Sequence, residues 1–204
     1  MPSSNTIILA SGNKKKLKEL SEILAEFDMN LAPQSDFAVP DAIENGLTFV
    51  ENAIIKARHA CKLTGLPAVA DDSGIEVDYL KGKPGIYSAR FAGENASDQD
   101  NLNILLEELE GVDASLRTAR YQCIIVYMRH AEDPTPIICQ ASWEGIILNS
   151  EIGEGGFGYD PIFYCPKSKK TAAQMIPEEK SAISHRGKAL KKFAKSDALS
   201  SSAH

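Results

Sequence analysis

The amino-acid sequence predicts an α/β protein built on a mixed β-sheet. Three observations carry that prediction. Short apolar runs alternate with segments of helical periodicity through the first half of the chain, as parallel βα units do. Two long strand-like stretches, Arg117–Arg129 and Ile137–Leu148, meet at Asp133-Pro-Thr-Pro136, as the arms of an antiparallel hairpin do. No internal repeat and no linker rich in Pro, Gly or Ser divides the 204 residues. Residues 1–195 are therefore read as one domain, in which the hairpin can carry a second lobe beside a cleft. Residues 196–204, small and polar, are read as a flexible tail.

In chain order, Thr6–Ala10 is a β-branched and aliphatic run that ends at Ser11-Gly12-Asn13, a buried strand followed by a turn. Leu17, Leu20, Ile23, Leu24 and Phe27 then recur at helical spacing, predicting a helix from Lys14 to Phe27. Thr48 and Glu51 have the capping-box spacing and open a second helix that runs to about Lys62 and stops before Gly65 and Pro67. Leu66–Ala70 reads as a short strand and Asp71-Asp72-Ser73-Gly74 as the turn after it. Ser97 and Asp100 cap a third helix carrying Leu102, Leu105, Leu106 and Leu109. After the hairpin come a glycine-rich loop, Gly153–Gly158, and a short strand, Pro161–Tyr164. Ser184 opens the final helix, with Ala189, Leu190, Phe193 and Ala194 on its apolar face.

Composition excludes several functions. Lys and Arg number 22 against 28 Asp and Glu, a formal charge of −6, which disfavours general binding to nucleic-acid backbone. The longest apolar run, Cys123 to Met128, falls far short of the roughly 20 residues that span a bilayer, so no membrane partner is expected. The N-terminus carries its charges after its apolar stretch, the reverse of a secretory signal, which points to the cytoplasm. Cys61, Cys123, Cys139 and Cys165 form no CxxC pair and read as reduced thiols. No Ser/His/Asp elbow and no zinc spacing is present.

Four constellations are left to carry chemistry. Ser11, Gly12, Asn13, Lys14, Lys15 and Lys16 sit between a strand and a helix. A glycine and a helix N-terminus can approach an anion there and a lysine can close over it, although the same residues also suit a solvated first turn. Asp71 and Asp72 at the end of an apolar strand, with Glu44 and Glu51 upstream, offer oxygens of the kind Mg²⁺ takes together with substrate phosphates, or simply form an ordinary Asx turn. Phe157, held between Gly155, Gly156 and Gly158, can stack on a nucleobase or fold back on the core. His185 and Arg186, in the first turn after Ser184, can act as a cluster of donors or simply begin a surface helix.

Six motifs taken together resemble one family. They are Ser11-Gly-Asn with Lys16, Thr48-Phe-Val-Glu-Asn-Ala, Ala70-Asp-Asp-Ser-Gly, Pro84-Gly-Ile-Tyr-Ser-Ala-Arg90, Gly156-Phe-Gly-Tyr-Asp-Pro161 and Glu179-Lys-Ser-Ala-Ile-Ser-His-Arg186. In this order they resemble the inosine/xanthosine triphosphate pyrophosphatases, most closely the bacterial branch. Those enzymes hydrolyse ITP, dITP and XTP to the monophosphate and pyrophosphate. Ser11 stands where a threonine is frequent in that family, one hydroxyl for another.

The resemblance implies an elongated central sheet, two lobes flanking an active-site cleft, a homodimer, and Mg²⁺ as cofactor. Carried over by position, Ser11–Lys16 would hold the triphosphate of a purine nucleotide. Asp72 would be proton acceptor and metal ligand, with Glu44 the second acidic ligand and Ser73 touching substrate. Phe157, Gly158, Tyr159 and Asp160 would hold base and sugar, and Lys180, His185 and Arg186 would meet the purine. Hypoxanthine and xanthine present a keto oxygen at C6 where adenine presents an amino group. A site of donors such as Arg186 therefore accepts the first two and mismatches the third. A pyrophosphatase for pyrimidine or methylated nucleotides and a non-catalytic purine sensor are the rival readings.

Overall fold

The structure is a computed structural model that describes residues 6–25 and 30–196. Phe27 and the tail beyond Ser196 lie outside the described residues. Among the described residues, seven strands form one sheet in the order β2-β1-β3-β4-β5-β6-β7. β1 (Ile7–Leu9) runs parallel to both β2 (Leu31–Pro33) and β3 (Ala68–Val77). β4 (Thr118–Met128) and β5 (Ile137–Ile147) are neighbours joined by residues 129–136. So short a connection forces the antiparallel hairpin the sequence predicts. β5 pairs antiparallel with β6 (Phe163–Cys165), and β6 with β7 (Lys170–Thr171). The sheet is therefore mixed, and the protein is α/β.

The chain divides into two compact units. The first comprises residues 1–72, 123–141 and 186–204, the second residues 73–122 and 142–185. In the first unit the sheet is covered on both faces, as a parallel sheet requires. One face packs Ile7, Leu9, Val69, Cys123 and Ile125 against Leu20, Ile23 and Leu24 of α1 (Lys14–Ala25). Ala189, Leu190 and Phe193 of α5 (His185–Ala194) join that face. The other face packs Ile8, Ala68, Ala70 and Ile124 against Ala53, Ala57, Ala60 and Cys61 of α2 (Phe49–Thr64). Alanines at helical spacing let α2 approach the strands closely. The second unit is built around Leu102, Leu105, Leu109, Tyr121, Trp143, Ile147, Tyr159 and Phe163.

The capping predictions are met. Thr48 Oγ1 accepts from the Glu51 N–H, and Gly65 ends α2 in the left-handed conformation that glycine favours. Ser97 and Asp100 form a reciprocal capping box on α3 (Asp98–Glu108). A short helix, α4 (Pro177–Ile183), precedes α5 and has no counterpart in the sequence reading. With seven residues and a proline at its start, it is too short to show periodicity. The described cysteines are all free thiols, three of them buried. Among the described residues, no helix is long and apolar enough to cross a membrane.

One expectation is overturned. Asp71-Asp72-Ser73-Gly74 is not a turn, because β3 runs without interruption from Ala68 to Val77. The polar residues suggested a loop, yet each acid finds a cation, so extended backbone continues through them.

Candidate active site

Because β3 is extended, successive side chains point to opposite faces. Asp71 falls on the face of Val69, toward α1 and α5, and Asp72 on the face of Ala70, toward α2. The two acids therefore do not act as a pair.

Asp71 is 1% exposed and enclosed by cations. Lys16 of α1 lies 3.1 Å away, and Arg186 Nε of α5 donates at 3.2 Å. Arg186 also pairs with Glu19 through Nη1. The Cys123 thiol donates to Asp71 Oδ2 at 3.4 Å. Burial alone would raise the Asp71 carboxyl, but Arg186, Lys16 and Lys56 outweigh it and hold the group well below the usual carboxylate range. Burial likewise opposes the charge on Arg186, yet Asp71 and Glu19 keep its pKa above its ordinary value. In this four-membered cluster, two acids balance two cations.

Asp72 meets a different environment. Lys56, on α2, donates to Asp72 Oδ1 at 2.8 Å and to Glu44 Oε2 at 3.3 Å. Burial pushes the Asp72 carboxyl up, Lys56 and Lys16 only partly offset it, and Glu44 adds to it. Lys56 stays charged because Asp72, Glu44 and Asp71 outweigh the burial that would lower its pKa. Asp72 Oδ2 is buried and has no hydrogen-bond partner among the described residues.

The loop that brings Glu44 to this place is fastened to α2. Gly46 N–H donates to Asn52 Oδ1 at 2.9 Å, Leu47 N–H to Glu51 Oε2 at 2.9 Å, and a His59 ring nitrogen lies 2.9 Å from the Pro40 carbonyl oxygen. His59 thus ties α2 to the segment that precedes Glu44.

The strand-to-helix loop also has a defined form. Asn13 Oδ1 accepts from the N–H groups of Lys15 and Lys16, and Ser11 Oγ accepts from Asn13 N–H. Asn13 is thus the N-cap of α1. A Cβ at Gly12 would displace the Asp41 carboxylate, which lies in the space it would take. Gly12, Asn13, Lys14 and Lys15 are exposed, Ser11 and Lys16 half-buried.

In the second unit, Asp160 organises the glycine-rich loop. It accepts from Phe157 N–H at 2.9 Å, Lys180 Nζ at 2.6 Å and the Tyr121 hydroxyl at 3.2 Å. Its carboxylate also occupies the space a side chain at Gly156 would need. Tyr159 is buried, and its hydroxyl donates to the Ser88 carbonyl at 2.8 Å. Gly158 N–H donates to Asp98 Oδ2 at 3.2 Å. What the loop presents is Phe157, half-buried, with Lys180 Nζ 5.0 Å from its ring centroid. His185 is buried and stacks on Tyr121 with centroids 4.6 Å apart and planes 10° from parallel. Ser73, half-buried, follows Asp72 on β3.

Of the expected site residues, the structure joins Asp72 and Glu44 through Lys56, Lys16 and Arg186 through Asp71, and Phe157, Asp160 and Lys180 to one another. Lys56 is the residue that sequence reading missed. It lies among Asn52, Ala53, Ala57 and Ala60, the buried stripe of α2, and a lysine at a core position of a helix was the available signal.

Fold and site define the class: a mixed-sheet α/β protein with a buried carboxylate on its third strand, facing a lysine and a second acid. The chain belongs to the Ham1 family, which it matches over residues 7–196. It is 58% identical over 185 residues to a dITP/XTP pyrophosphatase of Salmonella paratyphi A, covering 91% of this chain and 94% of that one. It is 56% identical over 189 residues to a dITP/XTP pyrophosphatase of Vibrio cholerae, covering 93% and 94%. Among solved structures, a HAM1 protein from Coxiella burnetii superposes with a TM-score of 0.88 at 49% identity, covering 97% of this chain and 99% of that one.

Proposed function

We propose that this chain hydrolyses the non-standard purine nucleoside triphosphates ITP, dITP and XTP to the monophosphate and pyrophosphate, clearing them from the nucleotide pool. The observation that carries this reading is the 58% identity, across nearly the whole of both chains, to enzymes named for that activity. Asp72 is the proton acceptor. Its Oδ2 has no partner to hold it, and its raised pKa suits a group that must take a proton from water.

A divalent cation fits beside it. Asp72 and Glu44 supply hard oxygen donors, one of them a buried oxygen still lacking a partner. Among the described residues no group of three or more His, Cys, Asp or Glu forms a self-contained metal cage. That suits Mg²⁺, which takes one or two carboxylates and shares substrate phosphates. The ion would supply charge neutralisation for the phosphates and a more acidic water.

Ser11–Lys16 bind the triphosphate, with the exposed Lys14 and Lys15 as its first contacts. Phe157 stacks on the base, Gly158, Tyr159 and Asp160 fix the loop that carries it, and Ser73 touches the substrate. Lys180, His185 and Arg186 complete the purine contacts. Arg186 is 2% exposed and paired with Asp71 and Glu19, so it meets the purine only by giving up part of that pairing. The enzyme works as a cytoplasmic homodimer. Its free thiols are in keeping with a reducing compartment, and its net charge of −6 with small anionic substrates rather than nucleic acid.

Pyrophosphate release from ITP, dITP, XTP, ATP, GTP and dUTP, with Mg²⁺ and with chelator, tests the reading. Turnover should be confined to the first three and lost in chelator. Best turnover on dUTP, or tight ITP binding without hydrolysis, overturns it.

A further inference from the structure

The Asp72 cluster is short of one positive charge. Two carboxylates, Asp72 and Glu44, share the single ammonium of Lys56, leaving one negative charge (−2 + 1 = −1). The neighbouring cluster of Asp71, Glu19, Lys16 and Arg186 sums to zero (−2 + 2 = 0). Lys56 itself is unusual in its place. Its side chain is 12% exposed on the alanine face of α2, where an ammonium loses most of its hydration. An alanine or leucine would pack there at no such cost, so the charge is what the position requires.

Resting on the metal reading above, we propose that Lys56 is a built-in cation that holds Asp72 and Glu44 in place in the metal-free chain. It surrenders both carboxylates when a divalent cation is loaded. Replacing one ammonium by a double charge brings the two carboxylates to neutrality, which the lysine alone cannot do. The lysine thus performs two tasks. It prevents two partly buried acids from repelling each other apart before metal arrives, and it keeps their oxygens where a metal can take them. It also sets the metal's affinity, because every binding event must break two ion pairs. Lys56 is in this sense a positioning residue that acts through Asp72 and Glu44.

The test uses the full chain, stripped of metal and free of nucleotide. Mg²⁺ is titrated calorimetrically into wild type, Lys56→Met and Asp72→Asn, and each is melted in chelator and in saturating Mg²⁺. Lys56→Met should melt below wild type in chelator, because two acids are left facing each other. Saturating Mg²⁺ should erase most of that deficit. A ligand at free concentration L that binds only the native state stabilises it by RT ln(1 + L/Kd), and so stabilises more the form that binds it more tightly. By the same linkage, its Kd for Mg²⁺ should tighten by about tenfold, equivalent to about 1.4 kcal/mol.

A deficit that persists unchanged in Mg²⁺, with Kd unchanged or weaker, overturns the proposal and leaves Lys56 a plain counter-ion. Asp72→Asn reports on the metal reading separately. If it binds Mg²⁺ as tightly as wild type, that reading has failed whatever Lys56 does. A measurement on wild type guards against a variant that does not fold. The Lys56 ammonium resonance, assigned by its loss in Lys56→Arg, should shift on adding Mg²⁺ and exchange faster with water. A resonance that ignores saturating Mg²⁺ overturns the proposal.

Discussion

The two faces of β3 at Asp71 and Asp72 differ by one residue in sequence and by almost everything in environment. Toward α1 and α5, Asp71 has Lys16, Arg186 and Cys123 around it, and its ionised form is locked in place. Toward α2, Asp72 has as its ion-pair partner one lysine that it must share with Glu44. Among the described residues its Oδ2 has neither a hydrogen bond nor an ion pair, whereas Asp71 Oδ1, also without a hydrogen bond, lies 3.1 Å from Lys16. The first arrangement spends its charges internally and stabilises the fold. The second keeps a charge unspent, and that residual charge can act on a substrate. Adjacent acids in a strand are thus separated in function by the pleat, because the backbone sends them to opposite sides of the sheet.

The largest expected effect strikes the closed side. Asp71→Asn leaves Arg186 buried without its main partner and should destabilise the protein by about 3–5 kcal/mol in denaturant melts. Asp72→Asn should cost much less, since it removes a carboxylate whose burial is only partly compensated. Equal losses in the two variants would erase the distinction.

The Asp71 penalty should also depend on pH in a stated direction. Its carboxyl is depressed in the folded state, so its contribution is complete above the unfolded value of about 4 and declines as pH falls through the folded one. The gap between wild type and Asp71→Asn, followed by melts from pH 7 to pH 2.5, should therefore narrow only below about pH 4. A gap that narrows between pH 7 and pH 5 would point to some other group.

Activity should rank the faces the opposite way. Asp72→Asn, folded and near wild type in stability, should lose about 10²-fold or more in kcat on ITP, the range for a missing general base. Near-normal turnover in that variant removes Asp72 from the chemistry. For Arg186, the ratio of kcat/KM for ITP over ATP in Arg186→Lys separates its two attachments. A fall in the ratio assigns it to the purine, and an equal loss on both substrates assigns it to Asp71 alone.

Phe157→Ala should raise KM for ITP by roughly 1–3 kcal/mol in binding, the range for one base stacked on an aromatic ring, with kcat little changed. Unchanged KM would return Phe157 to the core. The smallest effect is expected at the support of the open side. Thr48→Ala removes the α2 cap that also fastens the Glu44 loop through Glu51, at a cost of about 1 kcal/mol in stability. It should weaken Mg²⁺ binding slightly while leaving the Asp71 cluster intact.

Much of the fold was legible because local signals and the fold agree. Thr48 with Glu51 and Ser97 with Asp100 mark helix starts by their own hydrogen bonds, which need nothing distant. The β4–β5 hairpin was readable from two apolar stretches and the prolines between them. The Asp71–Gly74 segment misled because polar residues usually end a strand, and the cations that let this one continue come from residues 16, 56 and 186. Tyr159 and Asp160 could be placed in a binding motif from sequence. That they brace the loop while Phe157 is its offered side chain depends on Ser88, Tyr121 and Lys180.

The sequence by itself determined the α/β class, the starts of α1, α2, α3 and α5, and the acids Asp71, Asp72 and Glu44 with most of the cations of the site, Lys56 excepted, since periodicity and capping are properties of neighbouring residues. The tertiary structure alone decided which cation each acid receives. Lys16 and Arg186 come to Asp71, and Lys56 to Asp72, because helices distant in sequence pack on opposite faces of the strand. Charge balance at Asp71 and Asp72 is set by that packing, unlike at buried Asp133, whose partner Arg129 is only four residues away.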